Sequence, residues 1–254
     1  GGEAKYYPCL FDHEFIPQVA DLEALVDDRT VAILYNFPSN PTGGTLNEQQ
    51  RDDLLAFAAK HDLWIISDEV YDRIVFETEH VSFMGTGYDK LMVVNSFSKT
   101  FAMTGWRIGY IVSTNLEAMK QVVKIQYYIS ACSNDAMQYA VLEAMEKAND
   151  YPSMMATEFQ KRCKLIVDRL NAMPGVQCHQ PKGSIYVFPK VDVPGMSSED
   201  VALELLKDGV LCSPGSAFGP SGEGHLRFAY TIGQDDIARG MDKVEATLTR
   251  LQQG

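Results

Sequence analysis

Three short apolar runs in the first hundred residues each lead directly into polar residues, and this pattern limits the possible folds most strongly. The runs are VAILYNF at 31–37, LWII at 63–66 and LMVV at 91–94. Nearly continuous apolar runs of this length are typical of strands covered on both faces in a mostly parallel sheet. Between the first two runs, residues 46–62 have a helical pattern, with Asn47 predicted as N-cap and Gln50 as its capping-box partner. The order strand, helix, strand predicts a right-handed crossover in an α/β domain.

The later part of the chain predicts a second, smaller domain, because its short alternating runs are separated by proline and glycine. The predicted elements, in chain order, are a strand at 106–112, helices over 115–148 with a break near Ser133-Asn134, a long helix over 152–172, a strand at 184–188, a helix at 198–207, a strand at 225–230 and a helix from Asp235. The predicted fold class is therefore α/β, with a three-layer α/β/α large domain around a mostly parallel sheet in residues 1–150. Residues 151–254 are predicted to form the interdomain helix and a smaller C-terminal α+β domain.

Charge balance and the spacing of cysteine and histidine exclude several functions. Lys and Arg total 22 against 34 Asp and Glu, so the net charge is −12, which disfavours nonspecific binding to nucleic acid and to anionic membranes. No apolar run approaches the ~20 residues of a membrane span. Five widely spaced cysteines without a C-x-x-C motif predict buried free thiols in a reducing, cytoplasmic location. The five histidines lack zinc-type spacing, so no metal site is predicted.

Polar residues follow the carboxyl ends of the three predicted parallel strands. Asn40 follows the first strand, Asp68 and Tyr71 follow the second, and Ser96 and Lys99 follow the third. In open α/β sheets ligands bind at this edge, so the five side chains are expected to converge there. Each has a simpler explanation, as a turn residue, a helix cap or a solvated lysine. Together, with an aromatic and a hydroxyl at the same edge, they favour a ligand site.

One competing motif overlaps the third strand end. Ser96 and Lys99 also fit S-x-x-K, the serine and lysine of penicillin-recognising enzymes, which additionally need S-D-N and K-T-G elements. Here Ser67-Asp68 is followed by Glu69, and Lys182-Gly183-Ser184 lacks the middle hydroxyl residue. The order along the chain is also wrong, so this interpretation is rejected. No Walker loop or G-x-G-x-x-G motif follows a predicted strand.

Separate blocks of sequence, in one order and spread over the whole chain, resemble the class I and II aminotransferases. These are aspartate aminotransferase-like pyridoxal-phosphate enzymes of fold type I. The segment SFSKTFAMTGWRIGY is similar to the family's cofactor-lysine signature. NPTG and DEVY precede it, and PGSAFG and HLRFAY follow it.

The resemblance implies three catalytic residues and pyridoxal 5′-phosphate as the cofactor. Lys99 would form a Schiff base with the cofactor aldehyde and move the proton between the substrate Cα and the cofactor. Asp68 would keep the pyridine nitrogen protonated, so that the ring accepts electrons. Tyr71 would hydrogen-bond the phenolic oxygen of the cofactor.

The resemblance also implies binding roles. Asn40 would join Tyr71 on the phenolic oxygen and contact the substrate, and its bond to the following proline is expected to be cis. Ser96 and Arg107 would hold the cofactor phosphate. Arg227 would bind the substrate α-carboxylate through both of its terminal nitrogens, with an interdomain salt bridge as the alternative role.

The family carries a substantial segment before the point that matches Gly1 of this chain. That segment holds a helix N-terminus that binds the phosphate, an aromatic residue that stacks on the cofactor and an aromatic residue lent to the partner subunit. The resemblance therefore implies that these 254 residues are the C-terminal two-thirds of a homodimeric aminotransferase. We expect the 254 residues alone to bind the cofactor poorly.

The function implied is transfer of an amino group from an L-amino acid to a 2-oxo acid. One alternative is a pyridoxal-phosphate-dependent C–S or related lyase of the same fold, which would eliminate instead of transferring to an oxo acid. Another is a non-catalytic sensor domain or fragment, which a reporter assay would separate from an enzyme.

Overall fold

A computed structural model describes residues 1–77 and 79–253. The chain divides into two compact units. Unit 1 comprises Gly1–Leu25, Ser39–Gly44 and Thr157–Gly254, and unit 2 comprises Val26–Pro38 and Thr45–Ala156. Both units are therefore built from separate stretches of chain, whereas the predicted domains 1–150 and 151–254 are continuous. That domain division stays a prediction.

The helices in chain order are α1 Val19–Leu25, α2 Glu48–Lys60, α3 Phe97–Thr100, α4 Leu116–Ser130, α5 Asp135–Lys147, α6 Tyr151–Asn171, α7 Ser198–Lys207 and α8 Gln234–Gln253. The strands are β1 Ala32–Asn36, β2 Trp64–Asp68, β3 Leu91–Ser96, β4 Gly109–Val112, β5 Val176–Gln177, β6 Tyr186–Val187, β7 Lys190–Val191, β8 Ser213–Pro214 and β9 Leu226–Ala229. Short 3₁₀ helices lie at Phe11–His13, Thr104–Trp106, Gly215–Phe218 and Pro220–Gly222.

Unit 2 contains the predicted mostly parallel sheet, in the order β1-β2-β3-β4. The first three strands are parallel, and β4 runs antiparallel to β3. Asp68 lies opposite Asn36 on one side and Val94 on the other, so the parallel strands end at a common edge. The α/β fold class is confirmed.

The helix predicted between the first two strands is α2, and its start is as predicted. Asn47 accepts a hydrogen bond from the Gln50 backbone N–H at 2.8 Å, and the Gln50 side chain accepts one from the Asn47 N–H at 2.9 Å. This reciprocal pair satisfies two of the N–H groups that a helix start leaves without partners. The buried side of the helix carries Leu54, Phe57 and Ala58.

Some predicted elements are shorter or differently built. The strand predicted at 106–112 begins only at Gly109, because Thr104–Trp106 is a 3₁₀ turn and Arg107 has a left-handed φ of 56°. Cys163 and Cys178 are buried and free as expected, but Cys132 is exposed, so the prediction of a buried thiol is wrong there.

Unit 1 joins the start of the chain to its last hundred residues. The Phe11 ring stacks on His179 with 4.0 Å between ring centroids, and the Phe11 carbonyl lies 2.9 Å from His179 Nε2. Phe15 packs edge-on against Phe188 at 5.6 Å, and Phe188 stacks on His225 at 5.0 Å. We call these five rings the aromatic cluster. The strands beside the cluster form a three-stranded sheet in the order β6-β9-β8.

Unit 2 exposes a large apolar surface on α4 and β4. Helix α4 has no buried residue, and all four residues of β4 are exposed. The side chains that α4 exposes include Val123, Ile125, Tyr127, Tyr128 and Ile129. Across the described part of the chain, no helix combines the length and hydropathy needed to cross a membrane.

Two glycines of unit 1 approach each other too closely for a side chain. A Cβ on Gly215 would lie 1.9 Å from the carbonyl oxygen of Gly222 and 2.6 Å from that of His225. We expect Gly215→Ala to lower the free energy of unfolding by about 3 kcal/mol, since backbone atoms must move apart. Urea denaturation followed by circular dichroism measures this change.

The matched control is Gly240→Ala in α8, where a Cβ meets no atom within 4 Å. This substitution should raise the free energy of unfolding by up to about 1 kcal/mol, because alanine favours the helix. Equal effects of the two substitutions would contradict the close approach.

Candidate active site

Four of the predicted site residues lie at the carboxyl edge of the parallel strands in unit 2. Asp68 is the last residue of β2 and lies opposite Val94 of β3. Ser96, the last residue of β3, follows Val94 by two residues. Tyr71 follows β2 in a turn and is buried, and Lys99 lies on α3. The Lys99 Nζ is 5.6 Å from the centroid of the Tyr71 ring. The structure therefore brings a carboxylate, a phenol, a hydroxyl and an amine to one edge.

Asp68 is half-buried, and its surroundings raise the pKa of its carboxyl. Burial raises the pKa of Asp68, a hydrogen bond from the Val70 N–H lowers it, and the charge of Glu69 raises it, with a net increase. The Val70 bond is 3.2 Å long. A cationic N–H group placed against Asp68 would lower this pKa again, because an opposite charge favours the ionised form.

Glu69 is buried beside this edge, and both of its carboxylate oxygens have hydrogen-bonding partners. Its Oε1 accepts hydrogen bonds from Ser67 Oγ at 2.8 Å and from the Phe83 N–H at 3.1 Å. Its Oε2 lies 2.8 Å from His80 Nε2. Glu69 therefore ties the turn that carries Asp68 to the segment 80–83.

The pKa of Glu69 gives a pH-dependent stability prediction. Burial favours the neutral form of Glu69, but hydrogen bonds from His80, Ser82 and Ser67, together with the charge of His80, outweigh it and hold the pKa below its ordinary value. A carboxyl with a lowered folded pKa stabilises the fold above its ordinary pKa and loses that contribution as the pH falls through the folded value. Glu69→Gln should lower the free energy of unfolding by about 2–4 kcal/mol at pH 7 and by less at pH 3.

Urea denaturation at the two pH values tests this prediction. The control is Glu117→Gln, which removes an exposed pair with Lys120 in the same unit. That change should cost less than about 0.5 kcal/mol at either pH. A Glu69→Gln effect that does not shrink in acid would contradict the assignment of an ionised Glu69.

Ser96 and Arg107 lie at the same end of the β3–β4 pair. Ser96 Oγ accepts from the Ser98 N–H at 3.1 Å, as the N-cap of α3, and donates to the Ile108 carbonyl at 2.9 Å. Arg107 precedes β4 by two residues, and Ser96 pairs with Gly109 in the register of the two strands. The Arg107 side chain is exposed and donates to the Thr104 carbonyl at 2.9 Å. A hydroxyl and a guanidinium thus share this corner of unit 2.

The other two predicted residues, Asn40 and Arg227, meet within unit 1. Arg227 lies on β9 and donates through Nη1 to Asn40 Oδ1 at 2.9 Å and through Nη2 to Ser213 Oγ at 3.0 Å. No carboxylate pairs with Arg227 among residues 1–77 and 79–253. The Asn40-Pro41 bond is cis, as expected from the resemblance.

The loop that carries Asn40 is fixed by a tight contact at Gly43. Gly43 has a φ of 71°, and a Cβ there would lie 2.5 Å from the Pro181 Cβ. Its carbonyl accepts the N–H groups of Lys182 and Gly183 at 3.0 and 3.1 Å. Only glycine suits this position, because the left-handed conformation and the close approach both exclude a side chain.

Five residues that contact the predicted site residues or their neighbours were not predicted from the sequence. They are Glu69 and His80 at the sheet edge of unit 2, and Tyr186, Ser213 and Phe218 around Arg227 in unit 1. The ring centroids of Tyr186 and Phe218 lie 4.4 and 4.9 Å from the Arg227 guanidinium carbon. Among these five residues, only Phe218 could have been found from the sequence, because it lies in the turn 214–219 that precedes Arg227. His80 lies in an irregular segment with no motif, so nothing in the sequence paired it with Glu69.

Comparison with protein families gives one match over nearly the whole chain. The model described as aminotransferase class I and II matches residues 1–244. The chain is 35% identical to an aspartate aminotransferase of Pyrococcus abyssi and 34% identical to aromatic-amino-acid aminotransferase 2 of Thermococcus litoralis. In both comparisons 98% of this chain is covered, and the chain spans about 65% of the length of the relative.

Solved structures agree with the sequence comparisons. The aromatic aminotransferase from Pyrococcus horikoshii superimposes with a TM-score of 0.93 at 34% identity, over 98% of this chain and 68% of that one. An aspartate aminotransferase from Thermotoga maritima gives a TM-score of 0.90 at 33% identity, over 98% and 64%.

Proposed function

The chain belongs to the class I and II aminotransferase family, and we propose that its protein transfers an amino group from an L-amino acid to a 2-oxo acid with pyridoxal 5′-phosphate. The observation that carries the proposal is the meeting of Asp68, Tyr71 and Lys99 at the carboxyl edge of the sheet. The chain spans about 65% of the length of its relatives, so the activity is proposed for the whole protein.

The residues present fit this cofactor by the chemistry of their groups. Burial raises the pKa of the half-buried Asp68 carboxyl, and a protonated ring nitrogen beside it would favour the charged form. The amine of Lys99 is suited to react with an aldehyde, and it lies beside the Tyr71 ring. The Tyr71 hydroxyl is suited to hydrogen-bond a phenolic oxygen. Ser96 and Arg107 offer a hydroxyl and an exposed guanidinium for a phosphate, which a planar guanidinium binds through two parallel bonds.

The roles follow from these groups. When bound, pyridoxal phosphate supplies an electron sink for the bond broken at the substrate Cα. Lys99 would hold the cofactor through Nζ and would move the proton from Cα. Asp68 would keep the ring nitrogen protonated. Tyr71 would donate a hydrogen bond to the phenolic oxygen, and Asn40 is proposed as a second donor to it.

Arg227 is the proposed binding group for the substrate α-carboxylate. Two of its terminal N–H groups are used by Asn40 and Ser213. A guanidinium has five N–H donors, so three are left for a ligand. Asn40 contributes to the substrate site by orienting Arg227 through its side-chain oxygen.

The names of the relatives support the reaction class and not one substrate. Relatives at 35% and 34% identity are named for aspartate and for aromatic amino acids. The proposal therefore names amino acids and 2-oxo acids as substrate classes. We further propose a cytoplasmic homodimer, supported by the five free cysteines and by the exposed apolar surface of α4.

A donor screen tests the proposed function. The cofactor-loaded protein is mixed with single L-amino acids and 2-oxoglutarate, and glutamate formation is measured. Transfer that requires the oxo acid supports the proposal. Ammonia and oxo acid released without an acceptor would indicate a lyase, and cofactor binding without turnover of any donor would indicate a sensor.

A further inference from the structure

The Arg227 guanidinium is held by four contacts within unit 1. Two are the hydrogen bonds to Asn40 and Ser213, and two are aromatic rings, from Tyr186 at 4.4 Å and Phe218 at 4.9 Å. A guanidinium ion donates its hydrogen bonds in its own plane, while aromatic rings attract it through their faces. The rings and the two oxygens therefore restrain different motions of the same group.

Both rings are anchored to rigid parts of unit 1. Tyr186 lies on β6, which pairs with the Arg227 strand β9 opposite Ala229. Phe218 packs edge-on against Phe188 of the aromatic cluster at 5.9 Å. The 3₁₀ turn that carries Phe218 starts at Gly215, where the backbone approach leaves no room for a side chain. These contacts hold the backbone below Tyr186 and one edge of the Phe218 ring in place.

A long flexible arginine loses rotamer freedom when it binds a ligand, and prior restraint reduces that loss. A carboxylate also binds best when both of its oxygens meet parallel N–H groups. An Arg227 held by two rings and two oxygens meets the first requirement before the substrate arrives, and it keeps N–H donors for the second.

We propose that Tyr186 and Phe218 are positioning residues for substrate recognition, which hold Arg227 in the orientation that binds the substrate carboxylate. This inference rests on the proposed function of Arg227. It predicts that loss of either ring raises KM for the amino acid and for the oxo acid, with little change in kcat. Both ring contacts are made to the Arg227 guanidinium, so their loss should act on binding.

The test variant is Phe218→Leu, which keeps apolar volume but removes the ring face. We expect KM for both substrates to rise about threefold to thirtyfold, with kcat changed less than about twofold. Phe218→Tyr keeps the ring and should return KM to within about twofold of the wild-type value. Tyr186→Leu, with Tyr186→Phe as its conservative partner, repeats the test on the second ring.

The chain offers a matched control in Phe159→Leu. Phe159 is also half-buried in unit 1, and the Arg162 guanidinium carbon lies 5.5 Å from its ring centroid. Phe159→Leu therefore removes a phenylalanine–arginine contact away from Arg227, and KM should stay unchanged. Equal KM changes for Phe159→Leu and Phe218→Leu would overturn the proposal.

A double-mutant cycle separates positioning from general packing. Lysine at 227 presents a point charge without the planar fork, so Phe218→Leu should change KM less than twofold in an Arg227→Lys background. The same KM change in both backgrounds would overturn the proposal, since the ring would then act independently of the guanidinium.

Propionate binding tests the inference without turnover. It is measured by ligand-observed NMR, with uncharged propionamide as the reference. Weaker propionate binding by Phe218→Leu and by Arg227→Lys, with Phe159→Leu unchanged, supports it. Unchanged binding by either of the first two variants overturns it. If the wild-type protein binds propionate in this way but transfers no amino group, the proposed function fails and the positioning role stands.

Discussion

Lys99→Ala should lower transamination by at least roughly 10⁴-fold, because the variant loses both the covalent attachment of the cofactor and the group that moves the Cα proton. The absorption band of the Schiff base between Lys99 and the cofactor should be lost with the amine. Steady-state kinetics and absorption spectra of the cofactor-loaded protein measure the two effects.

Lys90→Ala is the matched control for Lys99. Lys90 precedes the opposite end of β3, where its Nζ donates to the Asp62 carbonyl at 3.0 Å. Its removal should leave turnover within about twofold, since an exposed pair contributes at most about 1 kcal/mol. A Lys99→Ala protein that still forms a borohydride-stable link to the cofactor would show that another lysine has this role.

Asp68→Asn should slow proton removal from Cα by roughly 10²–10³-fold while leaving the fold intact. The amide is similar in size to the carboxyl but carries no charge to keep the ring nitrogen protonated. Substrate deuterated at Cα should then show a larger kinetic isotope effect than with the wild type, because proton removal limits turnover.

The control for Asp68 is Asp62→Asn, an exposed aspartate of the same unit with a left-handed φ of 55° that asparagine also tolerates. Its kinetics should match those of the wild type. Near-normal turnover by Asp68→Asn, with the cofactor bound, would remove Asp68 from the mechanism.

The predictions from sequence succeeded where the determinants were local. The α2 capping box depends on two residues three positions apart, and α7 begins and ends at Ser198 and Lys207, as predicted. The strand end at Asp68 was predictable because an apolar run and a polar cluster adjoin in sequence. The antiparallel direction of β4 was not predicted, because periodicity indicates a strand and not its direction.

The rest depended on partners distant in sequence or in irregular segments. Arg227 was identified from a motif, but its two rings lie 41 and 9 residues before it, and no pattern joins them. The contact between Glu69 and His80 could not be predicted, because it depends on how segment 80–83 returns to the sheet. The exposure of α4 was likewise out of reach, because an apolar pattern shows which residues prefer burial and not what covers them.

The way the two units share the chain sets an order of events during protein synthesis. The last residue of unit 2, Ala156, emerges before His179, which is the stacking partner of Phe11 and lies 168 residues after it. At a translation rate of about 5–20 residues per second, roughly 8–34 s pass between the synthesis of Phe11 and that of His179. Unit 2 is therefore synthesised completely before the stretch of unit 1 that holds His179. During this interval the Phe11 ring lacks the stacking contact with His179 that it makes in the folded protein.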